Sequence, residues 1–406
     1  MDAPWTEIPD YVLRIVHKRL PCLVDRRRMG QVCRSWRAAV ASQQHKLPSI
    51  LVPSAGGPSF SCAVRGCATH RLFVPAYARA ARYFGAYGGG WLFLAVGQYP
   101  NNPMHMLLNL HTKHYLDLPR YIAWAGMVQA IERSFDMSLT MDIKAATLSS
   151  PPEDEHCVGA AISSFRYLMS GPRISAFWRT GQWGCGDQVA VTESFAEAFG
   201  GPVLEDVIHH NGAFCFLTNE ENLNVFASSH FHDSEEDGEL VVPPKEIRRF
   251  LNGGRDYGLN DVDRYLVESR GHLLMATRLR LGAFGGTWAF RVFEMEELPQ
   301  EPIDSEEATM FRYTWKELKS LDGRMLFLGR GCSKSYEVAD YPGFEVDLGG
   351  VYFLDDRTFY DEVPIMEYLF RDSGKWLPAP DAVPRVVNFL PEQGPSSYSP
   401  PAWLLP

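Results

Sequence analysis

The chain has 406 residues, 46% of them hydrophobic and 22% charged. That make-up is ordinary for globular proteins and speaks against disorder, coiled coil or collagen as the dominant state. A 13% aromatic content with 34 Gly and 28 Pro favours many turns and half-buried strands over long helices. A net charge of −10 disfavours a whole-protein electrostatic grip on nucleic acid, and no run approaches the ~20 apolar residues a membrane-spanning helix needs.

The first residues, Met1-Asp2-Ala3-Pro4-Trp5-Thr6-Glu7, lack the basic end and apolar core of a secretory leader, and no Asn-x-Ser/Thr sequon occurs. The eight cysteines are scattered, mostly inside apolar runs, as expected of reduced, buried thiols. The expected compartment is cytosol or nucleus, with no membrane association.

Charge is unevenly shared. Residues 1–46 hold nine Lys/Arg and four Asp/Glu, whereas the rest holds 30 and 45. This asymmetry predicts two units with separate jobs. In the basic head, Ile8, Val12, Val16 and Leu20 recur every four residues and Leu13 widens the stripe, which predicts one face of a helix. Pro9 suits the first turn and Pro21 ends the helix. Asp25 reads as the N-cap of a second helical stretch with Met29, Val32, Cys33, Trp36 and Val40 on one stripe; Pro48 closes the region. The Arg26-Arg27-Arg28 run reads as a solvated face. A head of two or three short helices buries little apolar surface alone, so its stripes are expected to complete their core against another surface.

From Leu47 the pattern changes to short apolar runs separated by Gly, Pro, Asn and Asp, the signature of strands and hairpins. In chain order they are 91–96, 106–110, 115–118, 213–217, 223–226, 265–269, 272–277, 325–328 and 351–354. Several units open on a glycine followed by an apolar strand (Gly90, Gly212, Gly271, Gly350), and Gly212 and Gly271 lie 59 residues apart. About 340 residues of such units predict an all-β domain, a β-propeller of six or seven four-stranded blades over residues 47–390. A Pro/Ser-rich tail over 391–406 completes the chain.

The head string Ile8-Pro9-Asp10 … Leu20-Pro21 … Asp25-Arg26-Arg27-Arg28-Met29-Gly30-Gln31-Val32-Cys33-Arg34-Ser35-Trp36-Arg37 resembles an F-box, especially its plant version. In the body, the segment 265–274 and the series Trp315-Lys316-Glu317-Leu318, Cys332-Ser333-Lys334-Ser335, Tyr341-Pro342-Gly343 and Val351-Tyr352-Phe353-Leu354-Asp355-Asp356 are similar to plant F-box proteins with a KIB-type β-propeller. The resemblance implies that residues 1–46 dock on a Skp-type adaptor, and through it a cullin, using Ile8, Pro9, Val12, Leu13, Val16, Leu20, Pro21, Val32, Cys33 and Trp36. The propeller would recruit a target protein for ubiquitination. The chain would then be a substrate-recognition subunit without catalytic residues of its own. Two rivals stand beside this reading, a scaffold acting outside a ligase and a propeller enzyme with convergent acids on its axis.

The remaining motifs predict no cofactor and no metal. Asp233-Ser234-Glu235-Glu236-Asp237-Gly238 imitates the start of a calcium loop, but position 12 is Pro244 where a bidentate Glu is needed. Cys62, Cys67 and His70 offer three soft ligands where structural zinc takes four, so they are read as strand thiols and a surface histidine. His209-His210 and His230/His232 have no diagnostic spacing. Gly85-Ala86-Tyr87-Gly88-Gly89-Gly90 lacks the Lys-Ser/Thr of a phosphate loop and reads as a tight turn. Asp355-Asp356 reads as a strand-ending pair. Trp178 and Trp183 flank a hairpin tip and are candidate anchors for a target protein.

Overall fold

In the computed structural model the apolar runs become the middles of blades. The structure describes residues 5–20, 22–40, 47–54, 56–63, 69–97, 104–122, 141–165, 172–180, 188–191, 195–236, 238–282, 285–298, 311–341, 348–356, 372–378, 385–387 and 400–406. Three short helices come first, α1 (Asp10–Arg19), α2 (Leu23–Met29) and α3 (Arg34–Val40). Six sheets of four or five strands follow, a six-bladed propeller behind a small helical head. No helix among the described residues is long and apolar enough to cross a membrane.

The single helical stretch predicted after Asp25 is broken into α2 and α3. Gly30 caps α2, and a Cβ there would stand 3.2 Å from Val40 Cγ2, so the close return of α3 leaves little room for a side chain. Cys22, not Asp25, is the N-cap of α2. Pro9 caps α1 as an extended residue, which suits its fixed φ. Leu13, Met29, Ala39 and Val40 form the head's own core, with Ile8, Leu20 and Trp36 packed against it.

Blade 2 shows the blade plan in order: Arg82–Tyr87 innermost, then Trp91–Val96, Met104–Asn109 and Tyr115–Asp117, all antiparallel. Blade 4 (Leu204–His210, Ala213–Thr218, Leu223–Ala227, Glu246–Arg248) and blade 5 (Asp261–Ser269, His272–Arg280, Thr287–Glu297, Tyr313–Glu317) repeat it. Blade 3 starts at Met141–Leu148, continues through Val158–Phe165, Ile174–Arg179 and Gln188–Val191, and gains Tyr121–Ile122 as a parallel edge. The recurring glycines lie one strand later than predicted: Gly90, Gly212 and Gly271 end the turn between the innermost and second strands. At Asn211-Gly212 and Arg270-Gly271 both central residues have positive φ (47° and 71°, 55° and 80°). Such two-residue turns match the twist of the strands they join.

The strands read as continuous apolar runs because a blade is covered on both sides. Phe214 and Phe216 pack toward blade 3, whereas Cys215 and Leu217, one residue along, pack toward blade 5. In blade 2, Trp91, Phe93 and Ala95 face blade 3, and Leu92 and Leu94 face the other way, toward Ile50 and Leu51. Side chains alternate across a strand, so a two-sided environment demands apolar residues at every position.

Two features depart from the sequence reading. Blade 6 places Lys334–Glu337 innermost, followed by Arg324–Leu328, Gly350–Phe353, Gly374–Leu377 and Arg385–Val387, with a parallel pairing between Arg324–Leu328 and Gly350–Phe353. In the stretch taken as a tail, Ala402–Leu404 is a strand that pairs antiparallel with Ser49–Val52 and completes blade 1, beside Ser59–Cys62 and His70–Arg71. Last strand meets first, so the two ends of the chain share one blade.

Candidate interaction surfaces

The predicted adaptor-facing residues divide into two sets. Leu13 is buried in the head's own core, with Ile8, Leu20 and Trp36 against it, a correction to the expectation that the whole stripe faces outward. A head with three helices needs an inside of its own, and Leu13 with His17 one turn on supplies the inner face of α1. The outward set is Val16 (43% exposed) and Val32 (58%), joined by Tyr11, a departure from the F-box pattern expected to alter the adaptor contact, and by Trp5 and Ile15, which lie outside the predicted stripe. Tyr11 and Ile15 stand four apart on α1, one turn along the helix. Val12 is half-buried, Pro9 is exposed, and Cys33 is half-buried with its Sγ 3.0 Å from Ser35 Oγ, a contact that lowers the thiol's pKa. Trp36 Nε1 donates to the Trp5 carbonyl at 3.0 Å and ties the 5–7 turn to α3. Pro21 lies outside the described residues.

Neither proposed target anchor is a described exposed aromatic. Trp178 is buried between blades 2 and 3. It pairs across the ladder with Gly159, and a Cβ on Gly159 would fall within 2.1 Å of the indole, so the ring lies flat over that glycine. Trp183 lies outside the described residues.

The propeller instead presents a funnel on its axis. A cavity of about 550 Å³ opens where the innermost strands of blades 2 to 5 run into their hairpin turns. Thr147, His209, Glu268, Arg270, Lys334 and Glu337 give it a mixed-charge wall. Arg270 Nε and Nη2 donate to Glu337 at 2.9 and 2.7 Å. His209 Nε2 lies 2.8 Å from Ser228 Oγ, and burial lowers its pKa. His210 Nδ1 stands 3.3 Å from Glu268.

The floor of the funnel includes Gly331, Cys332 and Ser333, from the turn between Arg324–Leu328 and Lys334–Glu337. Gly331 has φ +72°, and a Cβ on it would stand 2.4 Å from the Ala146 carbonyl oxygen; both conditions favour glycine. Below this floor lies a buried charge network that the sequence reading missed. Arg330 Nη2 donates to Asp263 at 3.1 Å and its Nη1 to the Glu205 carbonyl at 2.6 Å. Arg278, fully buried, donates to Asp356 at 3.2 Å and to Asp372 at 2.9 Å. Arg280 donates to Asp263 at 2.8 Å, and Tyr265 Oη to Asp356 at 2.9 Å. The pair Asp355-Asp356, expected to be turn residues, is therefore internal. The available signal was charge inside strand runs, Asp263 and Arg264 before Tyr265, and Arg278 and Arg280 after Leu274.

Asp206 sits at the centre of this brace. Its carboxylate accepts the backbone N–H groups of Leu266 (2.7 Å), Gly331 (2.6 Å) and Val207 (2.8 Å). Burial pushes it up from 3.8 to about 7, with the Leu266 and Gly331 N–H groups working the other way. Below pH 3.8 the carboxyl is protonated both folded and unfolded and adds no pH dependence. Between there and about 7 only the unfolded chain gives up its proton, so this group makes stability fall as pH rises, then level off. At ~1.36 kcal/mol per pH unit, Asp206→Asn removes about 2–3 kcal/mol of this cost between pH 5 and 7. It also leaves one N–H without its acceptor, a pH-independent loss of about 1–3 kcal/mol. The variant should be least stable relative to wild type at pH 5 and gain on it by pH 7. Urea unfolding at both pH values measures this; a difference that stays constant contradicts the assignment.

The calcium-loop imitation is not assembled. Asp233 accepts from Arg179 at 3.1 Å, Glu235 and Glu236 are exposed, and Asp237 lies outside the described residues. Of the predicted soft-ligand group, Cys67 is also outside them, but Cys62 and His70 converge on Cys22 of the head: Cys22 Sγ is 3.9 Å from Cys62 Sγ and 3.1 Å from His70 Nε2.

No curated protein matches the chain. Among solved structures it is similar to a β-fructofuranosidase from Schwanniomyces occidentalis complexed with fructosyl-erythritol, at 10% identity over 70% of this chain and 52% of that one, TM-score 0.26. The same enzyme complexed with fructose gives 10% identity, 70% and 53% coverage and a TM-score of 0.27. BBS1N in complex with ARL6DN gives 8% identity, 63% and 86% coverage and a TM-score of 0.22. The chain spans about half the length of the fructofuranosidases, and TM-scores this low constrain neither fold nor activity. The model of the KIB1-4 beta-propeller matches residues 59–375, from the second strand of blade 1 into the fourth strand of blade 6, and the chain belongs to that family.

Proposed function

We propose that this chain is the substrate-recognition subunit of a Skp–cullin–F-box type ubiquitin ligase, with the helical head as the adaptor-docking F-box and the propeller as the target receptor. The observation that carries the reading is the solvent-facing apolar strip on the head. Trp5, Tyr11, Ile15, Val16 and Val32 stay exposed although Leu13, Met29, Ala39 and Val40 already form an internal core. The strip thus serves no folding purpose within the described residues, and covering each side chain would be worth roughly 1.5–3 kcal/mol. The target would engage the funnel mouth, whose mixed-charge wall suits a polar segment of another protein. The chain's part in ubiquitin transfer would be proximity, holding target and transfer machinery together. Asp263, Asp356 and Asp372 beneath the funnel are matched to arginines, which supports a brace rather than a hydrolytic pair. Nucleus and cytosol both suit such a subunit.

The test is co-purification with a Skp-type adaptor. Val32→Glu and Ile15→Glu alter exposed positions, so folding should hold while adaptor affinity drops at least about tenfold, the loss of one buried aliphatic contact. Undiminished adaptor binding by both variants, or by a chain lacking residues 1–46, overturns the docking assignment.

A further inference from the structure

Cys22, Cys62 and His70 come from three places: the N-cap of α2, the end of the second strand of blade 1 and the start of its third. The two cysteines are 4% and 1% exposed and His70 is half-buried. Their three ligand atoms all lie within 4.8 Å of one another. A sulfur–sulfur separation of 3.9 Å is far beyond the ~2.05 Å of a disulfide. It is close to the edge of a tetrahedron built on metal–sulfur bonds of about 2.3 Å, roughly 3.8 Å. Two thiols and an imidazole with no carboxylate in the group form a soft donor set, which selects zinc over calcium or magnesium.

We propose that Cys22, Cys62 and His70 bind a zinc ion that staples the helical head to blade 1. On binding, the two thiols release their protons to solvent, sulfur–zinc bonds form and the imidazole nitrogen donates its lone pair; no electron is transferred. The fourth tetrahedral position is left for a further ligand. The location gives the ion a task. Among the described residues, the head's internal core cluster holds four buried side chains. Cys22 meets Cys62 and His70 across 40 and 48 residues of sequence. A cross-link of this kind fixes the direction in which the head's exposed strip faces relative to the funnel, and metal-binding energy of this class is folding energy.

The experiment uses the full chain, chelated and then titrated with zinc and, separately, with cobalt(II). One equivalent of zinc is expected by elemental analysis, and cobalt should give thiolate charge-transfer absorption with tetrahedral d–d bands. Cys22→Ser, Cys62→Ser and His70→Asn should each lose that equivalent or weaken it at least tenfold, whereas Cys33→Ser should retain it. If a variant does not fold, X-ray absorption at the zinc edge of the wild-type chain decides, with two or more sulfurs expected in the first shell. An oxygen/nitrogen-only shell, absence of stoichiometric zinc, zinc retained in all three variants, or a Cys22–Cys62 disulfide found by mass spectrometry overturns the proposal.

Discussion

Arg278→Met should destabilise the propeller by about 3–5 kcal/mol, the cost of breaking a buried ion pair from one side. Arg278 is fully buried in the strand His272–Arg280. Its guanidinium donates to Thr287 Oγ1 at 2.6 Å, Asp372 Oδ2 at 2.9 Å, Asp356 Oδ1 at 3.2 Å and the carbonyls of Leu354 and Asp372. Burial opposes the cation, yet Tyr265, Asp356 and Asp372 hold it well above its usual range, so it stays charged. Methionine fills much of the same volume but leaves Asp356 and Asp372 without this cation. Lysine keeps the charge but not the planar fork that meets these acceptors and Tyr265 Oη, six in all, so Arg278→Lys should fall between wild type and Arg278→Met. Adding Asp372→Asn to Arg278→Met should recover part of the loss, because one stranded charge is removed. Urea unfolding followed by tryptophan fluorescence gives the values. A loss under about 1 kcal/mol for Arg278→Met would mean the network does not brace blades 5 and 6.

Trp403→Ala should cost a similar amount, about 3–5 kcal/mol. Trp403 is 1% exposed and pairs with Ile50 in the closing strand. Its Nε1 donates to the Leu328 carbonyl at 2.6 Å, and its ring meets Phe327 edge-on at 5.2 Å between centroids. A Cβ on Gly329 would stand 2.9 Å from the indole Cδ1, so the backbone there is shaped around it. This one side chain thereby ties the C-terminal strand of blade 1 to blade 6. Trp403→Phe keeps most of the apolar area but strands the Leu328 carbonyl, a smaller loss of about 1–3 kcal/mol. Removing residues 401–406 goes further. It exposes the inner edge of Ser49–Val52, a template for pairing with other chains. The truncated chain should elute partly as oligomers on size-exclusion chromatography. Monomeric behaviour with an unchanged unfolding midpoint would show that closure does not depend on this strand.

Both predictions concern features the sequence concealed, and the reasons differ. The strand runs at 91–96, 213–217 and 351–354 were legible because alternation and turn residues are local signals. The observed strands Trp91–Val96, Ala213–Thr218 and Gly350–Phe353 begin within a residue of those limits. Asp263, Arg278 and Arg280 lie in equally clear strands, but a charged residue in a strand reads as solvent-facing unless its partner on another blade is known. On the head, periodicity placed Leu13 and Val16 on one α1 stripe, yet only the return of α3 decides that Leu13 is covered and Val16 is not. Trp178 read as a loop aromatic because its neighbours look like a hairpin tip; the glycine beneath it belongs to the preceding strand.

The sequence by itself determined the class of most segments: helices over 10–40, then hairpins, with glycines in the turns between strands. These follow from backbone sterics and side-chain periodicity within a few residues. Tertiary structure alone decided the number of blades, the parallel crossover in blade 6, the strand 402–404 that shuts the ring, and the meeting of Cys22 with Cys62 and His70. Each joins residues far apart in the chain, where the loop-closure cost and the pairing partner depend on the whole fold rather than on any local pattern.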